Sequence, residues 1–229
     1  MKYPIIGIIL AAAKGLRMGG SVPKQYHELA GRPILAHSLE AFDRAPSIDA
    51  IVIVSADKKT IKEDILQRWP ISKPVNFVLG GSERQDSVWN ALNAIESCKI
   101  VVIHDGVRPL IEVPVIEESI RVAQEFGAAI AGMPSKDTIK IVDDKGFSIK
   151  TPDRNTLWAI QTPQTFKFNL LKEAHIKAKQ DVYIGTDDSS LLERINYPVK
   201  LIEGGYDNIK ITTPEDLIIA SEILKFRGK

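Results

Sequence analysis

The stretch Ile5-Ile6-Gly7-Ile8-Ile9-Leu10-Ala11-Ala12-Ala13-Lys14-Gly15-Leu16-Arg17-Met18-Gly19-Gly20-Ser21-Val22-Pro23-Lys24-Gln25 decides how the rest of the chain is read. Its opening apolar run, rich in β-branched isoleucine, suits a strand buried on both faces of a sheet. Lys2 ahead of that run and the three alanines behind it imitate a secretory signal peptide. Residues 5–13 are too few to cross a bilayer, however, and a cationic loop follows where a spacer would be expected. Taken as a strand and its loop, the stretch places small residues, Lys14, Arg17 and Lys24 at a strand's carboxyl end.

Outward from this strand, continuous apolar runs alternate with helical patterns. The alternation predicts strands at 5–10, 50–56, 76–79, 100–105 and 128–133, and helices at 34–44, 60–69, 87–95 and 115–126. That order implies an α/β fold: a Rossmann-like, doubly wound, mostly parallel sheet whose ligand crevice lies outside the carboxyl ends of the strands. After Met133 the rhythm changes. Thr138-Ile139-Lys140-Ile141-Val142 alternates, Asp143-Asp144-Lys145-Gly146 turns, and Phe147-Ser148-Ile149-Lys150-Thr151 alternates again.

This predicts a protruding β-hairpin arm within 135–160. Two-stranded hairpins are marginal in water, so the arm docks either on a second subunit, giving a homodimer, or back on its own domain. Helices at 169–179 and 186–194, a strand at 199–202 and a helix at 214–226 follow. The last begins at Thr213-Pro214-Glu215-Asp216, a capping hydroxyl, a first-turn proline and two carboxylates. The reading is one domain over 1–229 carrying an arm.

Composition narrows the function. Lys and Arg number 30 against 29 Asp and Glu, for a net charge of +1, which argues against a dedicated nucleic-acid binder. With 44% apolar and 26% charged residues the composition is that of a globular protein, and it points to no membrane association. The single cysteine, Cys98, excludes an internal disulfide and suggests a reducing compartment.

The first loop matches neither GxxxxGK[ST] nor GxGxxG. Its three cations suit a phosphate-rich ligand, and they read equally as solvated loop charges. Gly80-Gly81-Ser82-Glu83-Arg84-Gln85-Asp86-Ser87 opens a helix and allows close backbone approach to a ligand, or simply makes a tight turn. Asp105 ends a predicted strand; it is a candidate Mg²⁺ ligand or a partner of Arg108. Asp207 and Lys210 supply a second acid and a cation after another strand. Acids and cations gathered at strand ends match phosphoryl or nucleotidyl transfer. His27, His37, His104 and His175 lack metal-ligand spacing and read as structural, and Trp69, Trp89 and Trp158 form no stacking stripe.

In sequence order the chain carries Pro23-Lys24-Gln25-Tyr26, Glu83-Arg84-Gln85-Asp86-Ser87-Val88, His104-Asp105-Gly106-Val107-Arg108-Pro109, Lys136-Asp137-Thr138-Ile139-Lys140, Asp153-Arg154-Asn155-Thr156-Leu157-Trp158, Gln161-Thr162-Pro163-Gln164, Thr186-Asp187-Asp188 and Asp207-Asn208-Ile209-Lys210-Ile211-Thr212. With the first loop, these motifs resemble the 2-C-methyl-D-erythritol 4-phosphate cytidylyltransferase family of the isoprenoid pathway nearly end to end.

The resemblance implies a cytoplasmic nucleotidyltransferase that uses CTP, a polyol phosphate and Mg²⁺ and forms a homodimer through the arm. It implies CTP phosphates on the backbone at Ala11, Ala12 and Gly15, with Arg17 and Lys24 as charge stabilisers. Nucleoside contacts would fall at Gly81, Ser82 and Ser87, supported by Arg84. Asp105 and Asp207 would hold Mg²⁺, Lys210 would face the reacting phosphate, and Arg108, Thr138 and Arg154 would bind the phosphate of the sugar alcohol. A sibling branch acting on ribitol 5-phosphate shares the CTP site. Ala13 stands where the family usually has glycine, which puts any backbone contact at that position in doubt.

Overall fold

Side chains alternate across β1 (Ile5–Leu10), and both faces are covered. Ile5 and Ile9 enter one core cluster, Ile6 and Ile8 the other. The same two-residue period runs along β2 (Ala50–Val54) and β4 (Ile100–Asp105): Ile51, Ile53, Ile100 and Val102 face one way, Val52, Val54, Val101 and Ile103 the other. In the computed structural model, which describes residues 5–12 and 22–228, these strands lie parallel, with β1 between β4 and β2 and β3 (Val75–Val78) beyond β2. Gly7 allows this packing, because a β-carbon there would stand 2.6 Å from Cδ1 of Phe42 on α1 (Ile34–Arg44).

The chain continues through α2 (Arg84–Ala94), α3 (Val113–Phe126), β5 (Ala128–Pro134), β6 (Trp158–Lys167), α4 (Phe168–Gln180), α5 (Asp188–Arg194), β7 (Lys200–Glu203) and α6 (Pro214–Phe226). The seven-stranded sheet has the order β7-β5-β6-β4-β1-β2-β3. α1 and α3 pack with one core cluster, α2, α4 and α5 with the other. The expected doubly wound sheet is therefore present, with one strand the sequence reading lacked. β6 runs antiparallel between β4 and β5. It carries Gln161, Thr162, Pro163 and Gln164, and proline in a central strand normally argues against such an assignment. The register of β6 on β5 shifts between Ile160 and Gln164, and Pro163 sits within that irregularity.

Element bounds moved where side chains intervene. α2 begins at Arg84 rather than 87, because Glu83 and Asp86 form a reciprocal capping box. The segment expected at 60–69 folds as Lys58–Thr60 and Ile61–Leu66, with the Asp57 carboxylate accepting from the Thr60 amide at 3.0 Å. Cys98 lies in the core, where burial pushes its thiol up to about 12.

The arm forms as a hairpin of Ile141–Val142 and Ser148–Lys150. The Asp143 carboxylate accepts from the amides of Lys145 and Phe147, and Gly146 takes the left-handed conformation at φ 85°. Ile139, Ile141, Val142, Phe147 and Ile149 are all exposed. The arm does not fold back on its own domain. Its return leg ends where β6 begins, so residues 158–160 belong to the sheet and pair with β5.

Candidate active site

A cleft of about 620 Å³ opens at the carboxyl ends of β1 and β4. β1 leads to β2 and β3 on one side, while β4 returns on its other side. This is the reversal of strand order at which doubly wound sheets bind ligands. The Gly106 amide donates to Leu10 O at 2.9 Å and the Ala11 amide to Val54 O at 2.8 Å. The two loops thus leave the sheet as extensions of its ladder. Gln25, itself buried, donates from Nε2 to Ala11 O at 2.9 Å and fixes where the first loop begins.

The cleft wall brings together Ala11, Ala12, Lys24, Gly81, Ser82, Arg84, Ser87, Asp105 and Lys210, from residues 11 to 210 of the chain. The Gly80-Gly81 turn is held by the Gly81 amide donating to Ser87 Oγ at 3.0 Å and by Ser82 Oγ donating to Asp86 at 2.6 Å. At both glycines a β-carbon would collide with neighbours, with Ala12 at Gly80 and with Asp86 at Gly81. Close packing, not only the turn, demands glycine here.

Asp105 is the electrostatic centre. Lys210 Nζ lies 2.7 Å from its carboxylate, Arg84 Nε at 3.6 Å and Arg108 Nε at 3.9 Å. Burial alone would raise the Asp105 pKa, but Arg84, Lys210 and Arg108 outweigh it and hold the carboxyl well below the usual carboxylate range. Arg84 is anchored from behind by Asp188, 1% exposed, at 2.7 Å. The Asp188 amide donates to Gln164 Oε1 on β6 at 3.1 Å.

His104 is structural, as the sequence reading held. The Asp105 amide donates to Thr162 Oγ1 at 3.1 Å, and that hydroxyl lies 2.9 Å from His104 Nδ1. His104 Nε2 faces Arg108 O at 3.1 Å. A carbonyl only accepts, so the proton sits on Nε2 and Thr162 donates to Nδ1. Burial pushes the His104 pKa down to about 4, keeping the ring neutral. The Asp105 turn is therefore locked to β6 by an uncharged relay.

Four expected site residues stand elsewhere. Asp207 does not join Asp105 on the cleft wall. Its carboxylate is ion-paired with Arg227, just past the end of α6. The signal for this pairing is only a lone arginine twenty residues on. Arg108 faces Asp105 from outside the wall, and its Nη1 donates to Asn208 O at 2.8 Å. Thr138 and Arg154 are exposed at the arm, the latter donating to Lys136 O at 3.3 Å. Gly15 and Arg17, together with Lys14 and the Ala13 departure, lie outside the described residues.

Sequence reasoning gave no role to Gln25, which lines the cleft, or to Thr162, Gln164 and Asp188, which position it from behind. Their motifs were visible; their contacts span distant parts of the chain. The base of the arm is also tied to the loop that leads to Lys210. Lys136 Nζ stands 3.4 Å from the Tyr206 ring centroid, and Tyr206 OH donates to Pro134 O at 3.0 Å.

Residues 5–226 match the family model of IspD, 2-C-methyl-D-erythritol 4-phosphate cytidylyltransferase. The chain belongs to this family. Proteins bearing that name from Caldanaerobacter subterraneus subsp. tengcongensis and Alkaliphilus oremlandii are 46% and 48% identical to it, each over 96% of this chain and over 99% and 94% of their own. Among solved structures, the 4-diphosphocytidyl-2C-methyl-D-erythritol synthase of Anaerococcus prevotii superposes with a TM-score of 0.86 at 35% identity, covering 98% of this chain and 96% of that one. The cytidylyltransferase of Francisella tularensis gives 0.80 at 30% identity, over 96% and 99%. The family assignment makes the chain a nucleotidyltransferase.

Proposed function

We propose that the chain joins CTP to 2-C-methyl-D-erythritol 4-phosphate, giving 4-diphosphocytidyl-2-C-methyl-D-erythritol and diphosphate. The observation that carries this reading is the cleft at the strand-order reversal, where Lys24 and Lys210 line one wall around the ionised Asp105, in a chain matched to the family from residue 5 to 226. A phosphate oxygen of the polyol phosphate attacks the α-phosphorus of CTP. The bond to the bridging oxygen breaks and diphosphate leaves with its electron pair. The attacking phosphate is already ionised near neutral pH, so no general base is assigned.

Lys24, Lys210 and Arg17 offset the charge that develops on the equatorial and leaving oxygens. The backbone at Ala11, Ala12 and Gly15 cradles the phosphates, and Gly81, Ser82 and Ser87 face the nucleoside. Arg84 holds Asp105 and the start of α2 in place.

The family reading also calls for a divalent cation. Among the described residues no three metal-type side chains converge, yet magnesium requires only one or two carboxylates beside phosphate oxygens. Asp105, on the cleft wall, fits that role with the triphosphate, whereas Asp207 is turned to Arg227 and does not fit as a second ligand in this arrangement. The cation would neutralise phosphate charge there.

The exposed apolar arm supports a homodimer in which Thr138 and Arg154, with Arg108, meet the polyol phosphate in the partner's cleft. No helix among the described residues is long and apolar enough to cross a membrane; the use of CTP supports a cytoplasmic reaction. Diphosphate release with CTP and Mg²⁺, comparing methylerythritol phosphate with ribitol 5-phosphate, tests the reading. Turnover is expected on the former, and turnover on ribitol 5-phosphate alone would overturn it.

A further inference from the structure

A second cavity, of about 550 Å³, lies on the far side of the segment that follows Asp105. Val107 lines the cleft, while Pro109 and Ile111 line this other space. Its remaining walls come from α1, from the turn at Ala30 and Arg32, from Glu112 and the start of α3, and from the end of α6. Two kinds of surface meet in it. Ala41, Pro109, Ile111, Val113 and Leu224 give an apolar side, and Arg32, Arg44 and Arg227 give a cationic one.

The charges are unequally spent. Arg32 pairs with Glu40 at 2.6 Å but leaves its Nε buried without a hydrogen bond. Arg227 is shared between Asp207 and Glu112, the latter at 3.2 Å. Arg44, exposed at the rim, has no ion pair among the described residues. Glu40 and Glu112 also line the cavity, each paired to an arginine. Arg44 is, among the described residues, the guanidinium left without a carboxylate, so an anion entering beside it and the unbonded Nε of Arg32 meets planar donors that suit phosphate.

We propose that this cavity is a binding site for an organic phosphate with an anionic head and a small apolar body. The head lies against Arg44 and Arg32, and the body lies over Ala41 and Leu224. Nothing in the catalytic reading requires such a site. The cavity does, however, share its wall with the catalytic loops: Arg227 donates to Leu110 O at 3.0 Å and also holds Asp207, three residues before Lys210.

Calorimetric titration of the full chain with hexyl phosphate, inorganic phosphate and hexanol tests the site. Hexyl phosphate is expected to bind, inorganic phosphate about tenfold more weakly, and hexanol not at all. Arg44→Ala and the cavity-filling Ala41→Trp should each weaken hexyl phosphate by about tenfold or more, while Lys210→Ala leaves its affinity unchanged. If Ala41→Trp does not fold, Arg44→Ala, on an exposed side chain, carries the test alone. No binding of hexyl phosphate, equal binding of hexanol, or affinity lost in Lys210→Ala but kept in Arg44→Ala would overturn the proposal, the last by placing the anion in the catalytic cleft.

Discussion

The cleft and the arm hold their functional side chains in opposite ways. In the cleft, each charged group is fixed by its own chain: Asp105 by Lys210 and Arg84, Arg84 by Asp188, and Asp188 by Gln164. In the arm, Thr138 and Arg154 stand exposed beside five exposed apolar side chains. On the proposed reading, the chain preorganises the charge-stabilising half of a nucleotidyl-transfer site within its core and carries the acceptor half on an exposed hairpin. The first half costs burial of charge, which only dense pairing offsets. The second leaves apolar area in water.

The contrast breaks first at the cations. Lys210→Ala and Lys24→Ala should each lower kcat by about 10²–10³-fold, the loss seen when one preorganised charge stabiliser is removed. Near-native turnover in either variant would remove it from the catalytic set. The supporting layer comes next. Asp188→Asn strips the buried partner from Arg84 and should destabilise the fold by about 3 kcal/mol, read as a lower denaturant midpoint with an unchanged m-value. An unchanged midpoint would mean that Arg84 finds its compensation elsewhere.

Acid sharpens the same point. The pKa of His104 is depressed to about 4 from an unfolded 6.5, so the unfolded chain binds the proton first. The contribution of the neutral ring is complete above pH 6.5 and is lost as pH falls from there toward 4, at most roughly 3 kcal/mol. Asp105, also depressed, adds to the loss in the same direction at lower pH. Chemical denaturation at a series of pH values should show this slope, and His104→Gln should flatten it between pH 6.5 and 4.

The arm should respond least in stability and most in assembly. Phe147→Asp, at a side chain 70% exposed, should leave unfolding within about 0.5 kcal/mol while sedimentation shifts from dimer to monomer and turnover falls. A parent chain that sediments as a monomer at micromolar concentration would end the dimer reading.

What could be read from the chain alone follows the range of the forces involved. The parallel strands were legible because burial on both faces writes a continuous apolar run, as in Ile5–Leu10 and Ile100–Asp105. The acid and cations at strand ends were legible because topology fixes where strand ends meet. β6 was not, since Gln161, Thr162, Pro163 and Gln164 carry no strand signal. Their polar side chains serve His104, Asp187 and Asn208 rather than an apolar core. The turning of Asp207 toward Arg227 and the anchoring of Arg84 by Asp188 were illegible for a related reason: each depends on a partner from a distant element.

The place of β6 in the sheet also bears on how the protein is made. β4 and β5 leave the ribosome before the strand that separates them, and neither pairs with the other in the finished sheet. For roughly 3–12 s at ordinary rates of elongation, β4 keeps an open edge of buried-type residues while the arm is still being synthesised. Such edges recruit foreign strands. The nascent chain is therefore most exposed to misassembly midway through translation, and the polar, proline-bearing strand that follows the arm is the one that closes the gap between β4 and β5.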